Sequence, residues 1–315
     1  MNDTMRTLLH YVVEGDMKKS RDVAKLILQT NKTAKDQQIC EKLLAKMEEQ
    51  DAKGVQIPYN LQAIIQQSVS PYGFQSDRYY LTEREKQLLS HIKRMYSAGT
   101  IMAEKGIHYT NAVLLHGVSG TGKTTFAQYV ADALNLPFFY VSITQLVNSY
   151  MGKTGQNLEL VFQFASTMPC VLVLDEIDQI GTKRGLDGGV DGEMKRVLIS
   201  VMQNLDRLPN NVILIAATNR PDVIDSALKR RFPVKHEVRA LTDTEACAFA
   251  NMYLSRVGLD WKGELMAFLS FDVYSKQDEY VPSGEYTPAA ITDCLNEKIA
   301  QAIEKDPENP IVILN

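Results

Sequence analysis

Hydrophobic residues recur at helical spacing along the first fifty residues. One stripe has apolar side chains at i, i+3, i+4, i+7 and i+8, and it comprises Met5, Leu8, Leu9, Val12 and Val13. Two shorter stripes follow, formed by Val23, Leu26 and Ile27 and then by Ile39, Leu43 and Met47. The pattern predicts an all-α N-terminal domain over residues 1–50. It fits a bundle that packs only on itself and, equally well, a docking module for a protein substrate or adaptor.

Residues that break regular structure are concentrated between positions 51 and 77. They are Gly54, Pro58, Pro71 and Gly73, and both residue types favour turns and loops. Residues 51–77 are therefore predicted to be a linker, although a short amphipathic stretch with Leu61, Ile64 and Ile65 lies within it.

A long helix is predicted to begin after Thr82, because Glu85 three residues later completes a capping-box sequence. Tyr79 and Tyr80 come just before this helix. Their rings could stack on an adenine base or could pack as ordinary core aromatics, and the sequence favours neither.

Strand and helix patterns alternate from Ala112 onward. Short apolar runs predict strands at 112–116, 137–142, 170–175, 212–218 and 234–238, with helical patterns between them. Such alternation is typical of a parallel sheet with helices on both faces. Two helical patterns follow, Thr244 to Val257 and Pro288 to Glu304, and 311–314 is a candidate closing strand. We therefore predict a large α/β domain over 78–240 and a small helical lid over 241–315.

A glycine-rich segment follows the first predicted strand and precedes a helical pattern. It reads Gly-Val-Ser-Gly-Thr-Gly-Lys-Thr, which matches a Walker A phosphate loop in the expected strand–loop–helix context. Its glycines let backbone N–H groups surround an anion, and the helix N-terminus favours phosphate. Lys123 is predicted to reach the β- and γ-phosphates of ATP, and Thr124 to bind Mg²⁺. The predicted nucleotide-binding residues are Gly117, Val118, Ser119, Gly120, Thr121, Gly122, Lys123, Thr124, Thr125 and Asp175.

Two carboxylates, Asp175 and Glu176, end the apolar strand 170–175. Ligands of open parallel sheets bind at the carboxyl ends of the strands, where the phosphate loop also lies. Asp175 is predicted to hold Mg²⁺ through water, and Glu176 to act as the general base that polarises the attacking water. An acidic turn without a catalytic role is the alternative.

Polar residues after the next strand complete the predicted catalytic set. Asn219 follows strand 212–218 and is placed to orient a water near the γ-phosphate, although a plain Asn turn is the alternative. Arg230 and Arg231 lie beyond it, in a short helix that starts near Asp225. A guanidinium at the γ-phosphate would stabilise the charge that develops during transfer. The sequence leaves open whether these arginines act in their own subunit or in a neighbour, or only form a solvated basic helix end.

Four motifs occur in a fixed order, at Gly117–Thr124, Asp175–Asp178, Ala217–Asp222 and Ala227–Phe232. Together they resemble the AAA+ ATPases of the classical protein-remodelling clade, and the Leu-Lys-Arg-Arg-Phe segment is most similar to the katanin and spastin branch. The resemblance covers roughly residues 75–305. It implies a ring, usually a hexamer, with ATP bound between subunits. Asn219 would then be sensor 1, Arg230 and Arg231 arginine fingers that reach the next subunit, and Asp206 an inter-subunit signalling residue.

A further segment is similar to the pore loop of protein unfoldases. Tyr150, Met151 and Gly152 form its aromatic–hydrophobic–glycine pattern, which would grip an extended polypeptide without reading its sequence. A tyrosine packed on its own domain is the alternative. The glycine-rich stretch 181–192 could form a second pore loop or a flexible connection. Lys153 stands where the family usually has an acid, which suggests a preference for more acidic substrates.

Composition narrows the classes of partner. The net charge of −4 argues against a chain-wide attraction to nucleic acid or anionic membranes. The cysteines Cys40, Cys170, Cys247 and Cys294 form no C-x-x-C pair, which argues against a zinc site or a disulfide framework. No signal-peptide pattern or apolar run of membrane-spanning length is present in the sequence, so a cytoplasmic protein is expected.

The function predicted from these features is ATP-driven remodelling, unfolding or disassembly of proteins by threading through the pore of a homo-oligomeric ring. A nucleic-acid-directed AAA+ helper, such as a loader or a transposition or replication accessory, is one alternative. An ATP-dependent assembly switch is another. A third is an unfoldase that feeds a separate protease, because the chain has no H-E-x-x-H protease motif of its own.

Overall fold

The computed structural model describes residues 3–13, 23–24, 26–28, 55–68, 74–149, 153–181, 191–276, 281–282, 284–307 and 310–314. The chain divides into two compact units, Met1–Ile57 and Pro58–Asn315. In the first unit, helix α1 spans Asp3–Val13, and residues 23–24 and 26–28 are also helical. These segments agree with the first two predicted helices, and the third lies outside the described residues.

A five-stranded parallel sheet forms the centre of the second unit. Its strands are β1 (Ala112–His116), β2 (Phe138–Ser142), β3 (Cys170–Asp175), β4 (Val212–Thr218) and β5 (Val234–Glu237). The spatial order is β2-β3-β4-β1-β5. Every residue of β4, and every residue of β3 except Asp175, is buried, so both faces of the central strands are covered. The predicted α/β class and its parallel sheet are confirmed.

Seven helices of the described residues belong to this sheet domain. They are α2 (Glu83–Glu104), α3 (Lys123–Leu134), α4 (Ile143–Ser149), α5 (Thr154–Ala165), α6 (Asp178–Gly181), α7 (Asp191–Asp206) and α8 (Ser226–Arg230). Alternate residues of β1, β3 and β4 form one core with apolar residues of α2 and α3. The predicted capping box opens α2: Glu85 N–H donates to the Thr82 hydroxyl at 3.3 Å, and Thr82 N–H donates to the Glu85 carboxylate at 2.9 Å.

The segment 58–66 packs on the domain and is not an open linker. Leu61 is 2% exposed and Ile65 is 3% exposed. Gln66 pairs with Tyr140 of β2 through two backbone hydrogen bonds of 2.9 and 2.8 Å. The predicted linker is therefore wrong for this segment, because its apolar residues are buried and its backbone is paired. The domain limits at 50, 78 and 240 stay predictions.

The C-terminal region has its own core around the helices α9 (Asp243–Val257), α10 (Leu265–Phe268) and α11 (Pro288–Lys305). Strand β6 (Leu241–Thr242) pairs antiparallel with β8 (Glu285–Tyr286), and β7 (Asp260–Gly263) pairs in parallel with β9 (Ile311–Leu314). The predicted helices and the closing strand β9 are present, and the structure shows Thr287 as the N-cap of α11, with its side chain accepting the Ala290 N–H. Within the described ranges, none of the helices combines the length and apolar character that a membrane span needs.

Candidate functional site

The loop between β1 and α3 is shaped by glycines. Gly117 has a φ of 147°, and a Cβ atom at this position would lie 2.1 Å from the carbonyl oxygen of Val238. Gly122, the N-cap of α3, has a φ of 92°. L-residues with side chains rarely adopt such φ values, so the curved path of the loop into the helix depends on both glycines. The geometry agrees with a phosphate loop that ends on a helix N-terminus.

Lys123 lies within the curve of this loop. Its ammonium group donates to the carbonyl oxygens of Gly117 at 3.0 Å and Val118 at 2.8 Å, and the residue is 7% exposed. Burial lowers the pKa of Lys123 to about 8, and the nearby carboxylates of Asp175 and Asp178 oppose that shift. The site therefore combines a buried cation with two acidic groups.

A direct hydrogen bond joins the phosphate loop to the acidic strand end. The Thr124 hydroxyl donates to Asp175 Oδ2 at 2.7 Å, and Asp175 Oδ1 accepts the backbone N–H of Glu176 at 2.9 Å. Thr124 and Asp175 thus place two oxygen ligands side by side, and Mg²⁺ prefers oxygen ligands. No group of three or more His, Cys, Asp or Glu in the described part of the chain could hold a metal. A Mg²⁺ ion would thus take its other ligands from phosphate and water, as Mg²⁺ commonly does.

Glu176 occupies an unusual backbone conformation directly after β3. Its φ is 58°, which is uncommon for a residue other than glycine. The side chain is exposed, and its Oε2 accepts a hydrogen bond from the Ser142 hydroxyl at 3.2 Å. The sequence patterns did not identify Ser142 as a residue of the site. It is the last residue of β2 and pairs in register with Asp175, so its place at a strand end was the signal that could have identified it.

Asn219 follows β4, the strand that pairs with β3, and it is exposed. The neighbouring Thr218 hydroxyl donates to Asp178 Oδ1 at 2.6 Å. Ile177 N–H donates to the Ala217 carbonyl at 3.1 Å. The structure therefore brings Asn219 to the same sheet edge as Asp175 and Glu176, as the parallel arrangement predicts.

The two predicted finger arginines differ in their surroundings. Helix α8 is capped by the Asp225 side chain and ends at Arg230, which is exposed and whose guanidinium has no hydrogen-bond or ion-pair partner among the described residues. Arg231 pairs instead with Asp206 at the end of α7, with Nη2 2.9 Å from Oδ2. The Arg231 guanidinium thus contacts α7 and α8, and it does not contact the phosphate loop of its own chain.

A cavity of about 480 Å³ adjoins the phosphate loop. Residues 78–85, the segment 236–242 and the start of α11 contribute to its walls. Tyr79 and Tyr80 both line the cavity, and both also pack on other aromatic rings. The ring centroids of Tyr79 and Tyr129 lie 5.0 Å apart, and those of Tyr80 and Phe249 lie 6.5 Å apart. The Ala289 N–H of α11 donates to the Gly120 carbonyl at 3.2 Å, so a backbone hydrogen bond joins two residues that line the cavity. Its volume lies within the range of small-molecule sites.

The predicted pore residues Tyr150, Met151 and Gly152 lie outside the described residues, as do residues 182–190 of the predicted second pore loop. Lys153 is exposed and immediately precedes α5.

Comparison with known proteins identifies the class of the sheet domain. Residues 113–240 match the family described as "ATPase family associated with various cellular activities (AAA)". The chain therefore contains an AAA ATPase domain, and the predicted ATPase class of this domain is confirmed. The katanin- and spastin-like branch stays a prediction.

Among its relatives, the chain is 39% identical over 129 residues to the peroxisomal ATPase PEX6 of Candida glabrata and 40% identical over 129 residues to that of Saccharomyces cerevisiae. These alignments cover 40% of this chain but only 13% and 12% of the two relatives. The uncharacterized AAA family ATPase y4kL of Sinorhizobium fredii is 37% identical over 145 residues, which is 46% of this chain and 43% of y4kL. The chain thus matches only a small part of the PEX6 proteins and less than half of y4kL.

Proposed function

We propose that this protein is an ATP-hydrolysing AAA+ ring protein that remodels, unfolds or disassembles protein substrates by threading them through a central pore. The observation that carries the catalytic part is the 2.7 Å hydrogen bond between Thr124 and Asp175. It joins the phosphate loop to the acidic strand end, and hydrolysis of a nucleoside triphosphate needs both in one place.

Each group has a distinct task in this proposal. The loop from Gly117 to Thr125 holds the phosphates, with Lys123 as the buried cation at the β- and γ-phosphates. Thr124 and Asp175 hold Mg²⁺, which neutralises phosphate charge when it is bound. Glu176 accepts a proton from the attacking water, and its exposed side chain is accessible to that water. Asn219 orients the same water from the neighbouring strand.

The arginines act in a neighbouring copy in this proposal. Arg230 is exposed at the end of α8, and the Arg231 guanidinium is held on α7 and α8, away from the loop that binds phosphate in its own chain. A second subunit whose phosphate loop faces this surface would receive both positive charges. A homo-oligomeric ring would supply that subunit, and in the AAA+ family that the motifs resemble such a ring is usually a hexamer.

The mechanical part of the proposal rests on Tyr150, Met151 and Gly152. A ring of aromatic side chains on short loops gives a grip that depends little on sequence. The N-terminal helices would bind the protein substrate or an adaptor. The PEX6 relatives are named peroxisomal ATPases, and ATP hydrolysis is the part of that name that we extend to this chain.

The catalytic part is tested by Glu176→Gln, which keeps the shape of the side chain and removes its basicity. We expect ATP binding to persist and kcat to fall by about 10²–10⁴. Lys123→Ala, measured beside it, should lose ATP binding itself. Turnover that is undiminished in Glu176→Gln would exclude Glu176 as the base.

Threading is tested separately with a fluorescent protein fused to an unstructured tail. Tyr150→Ala should abolish its ATP-dependent unfolding and leave basal ATPase largely intact, whereas Tyr150→Phe keeps the aromatic ring and should retain unfolding. If Tyr150→Ala unfolds the substrate at the normal rate, this loop does not drive threading.

A further inference from the structure

The hydroxyl of Thr218 lies between two segments of the candidate site. Thr218 is the last residue of β4, and it is 1% exposed. Its Oγ1 donates to Asp178 Oδ1 at 2.6 Å and accepts the backbone N–H of Arg220 at 2.9 Å. A hydroxyl has a single proton to donate, so the bond to Asp178 uses its whole donor capacity. Because Thr218 and Arg220 flank Asn219, the two contacts restrain the backbone on both sides of that residue.

Consecutive residues tie the end of β4 to the segment after β3. The Ile177 N–H donates to the Ala217 carbonyl at 3.1 Å, and the Asp178 carboxylate accepts from Thr218 at 2.6 Å. Glu176 comes immediately before this pair of bonds, and Asn219 comes immediately after it. The bonds therefore limit how far Glu176 and Asn219 can move relative to each other.

We infer that Thr218 and Asp178 are positioning residues that hold the Asn219 amide in register with Glu176. This inference rests on the proposed function, in which Glu176 is the general base and Asn219 orients the attacking water. Neither Thr218 nor Asp178 is assigned a contact with the reacting atoms. Their effect is geometric, and a misplacement of about 1 Å at such a site can cost about 10²-fold in rate.

Thr218→Val tests the inference, because valine keeps the β-branched shape and removes the hydroxyl. We expect kcat for ATP to fall about tenfold and KM to change less than about twofold, since only the orientation of the attack is impaired. Thr218→Ser keeps the hydroxyl and should retain kcat within about twofold. Thr167→Val is the matched control, because that hydroxyl also donates to an oxygen at 2.7 Å, the Phe164 carbonyl, at the exposed end of α5.

A double-mutant cycle tests whether the two residues act through one bond. Asp178→Ala combined with Thr218→Val should lose no more kcat than the worse single variant, whereas independent losses would multiply. A multiplied loss, or an equal loss of kcat in Thr218→Val and Thr218→Ser, overturns the inference. Far-UV circular dichroism and a cooperative urea-unfolding transition verify that each variant is folded, since Asp178 lies near Lys123 and its loss can also alter nucleotide affinity. If Asp178→Ala does not fold, Asp178→Asn takes its place: it keeps an acceptor oxygen for the Thr218 hydroxyl, so kcat should stay within about twofold of the wild type, and a tenfold loss would overturn the inference.

Asn219→Ala separates failure of the inference from failure of the proposed function. A lowered kcat in Asn219→Ala with a normal kcat in Thr218→Val overturns the positioning role and leaves the role of Asn219 intact. A normal kcat in Asn219→Ala overturns the role assigned to Asn219 in the proposed function, and the inference with it.

Discussion

Arg231 and Asp206 form a bidentate ion pair within one chain. Nε and Nη2 of Arg231 lie 2.9 Å from Oδ1 and Oδ2 of Asp206, respectively. Nη1 donates to the Ala227 carbonyl at 3.0 Å, so all three guanidinium nitrogens have partners in their own chain. The two side chains are 30% and 52% exposed, and a pair this exposed contributes about 1 kcal/mol or less to stability. The pair would therefore open at little cost if, as proposed, the nucleotide of a neighbouring subunit competed for the arginine.

Subunit mixing tests whether the arginines act across an interface. Arg230→Ala and Arg231→Ala should each lower kcat by about 10³ or more, the range of an arginine that stabilises transferring phosphate. Either variant mixed with Lys123→Ala should regain part of the ATPase, because each contributes the group that the other lacks. ATPase of the mixtures is measured against subunit ratio.

Arg256→Ala is the control for this experiment, since Arg256 forms a long 3.7 Å surface pair with Asp77 and should not affect turnover. Confirmed mixed oligomers that recover no ATPase at any ratio would contradict action in trans.

Gly117→Ala should abolish nucleotide binding and destabilise the fold. The added Cβ would lie 2.1 Å from the Val238 carbonyl oxygen, and real Cβ atoms do not approach backbone so closely. Gly106→Ala is the matched control, because Gly106 also has a positive φ, 71°, but a Cβ there meets nothing within 4 Å.

We expect Gly106→Ala to cost about 1 kcal/mol, the strain of a positive φ alone, and Gly117→Ala to cost clearly more. Urea unfolding and binding of a fluorescent ATP analogue measure the two effects. Equal stabilities would mean that the loop moves away from Val238 without penalty.

Two histidines beside the phosphate loop predict a loss of stability in mild acid. His116 ends β1, and His236 lies on the adjacent β5. Burial lowers the pKa of both histidines. At His116, Glu237 opposes this shift, and Lys229 and Lys123 add to it. At His236, the neighbouring charges of His116 and Arg84 lower the pKa further. The folded state then binds fewer protons than the unfolded state. The contribution of the two histidines to the free energy of unfolding is therefore present above the unfolded pKa of about 6.5, and it is lost as pH decreases through the folded pKa values.

The free energy of unfolding in urea, measured at pH 7.5, 6.5 and 5.5, checks this sign. The double variant His116→Gln, His236→Gln cannot titrate in this window and should show a flatter dependence. An equally steep dependence in the variant would assign the loss to other groups.

Tyr79→Phe should destabilise the start of α2. The Tyr79 hydroxyl donates to Glu85 Oε1 at 2.7 Å, and Glu85 is only 4% exposed. Removing the donor leaves a buried carboxyl group with one partner fewer, which typically costs about 1–3 kcal/mol. Tyr59→Phe, at a residue that is 91% exposed, is the control and should be neutral. Thermal unfolding compares the two variants, and equal midpoints would contradict the prediction.

The contact between Thr124 and Asp175 could be anticipated although 51 residues separate them. Parallel strands deliver their carboxyl ends to one edge, so two motifs at strand ends must meet there. The ion pair between Arg231 and Asp206 could not be anticipated in the same way, because it depends on how α7 and α8 pack. The sequence offers only charges of opposite sign for that contact.

Three short strands of the C-terminal region, β6, β7 and β8, were missed for a different reason, whereas β9 was predicted. Strand β7 reads Asp-Trp-Lys-Gly, which has no apolar run, and its partner β9 begins 48 residues after β7 ends. Pairing of such segments is decided by the surrounding helices and not by local preference. The burial of Leu61 and Ile65 was hidden by nearby proline and glycine, whose turn signal was stronger than that of a few apolar residues.

The bond from Ala289 to Gly120 gives α11 the geometry of a lever. The helix has 18 residues and is therefore about 27 Å long, and the bond lies within its first turn. A rotation of the helix about this bond would displace its residues in proportion to their distance from the bond, so the far end would move most. In the proposed function, a change in the bound nucleotide that rotates α11 about the Ala289–Gly120 bond would therefore move the distal turns of α11 most, together with any surface packed on them.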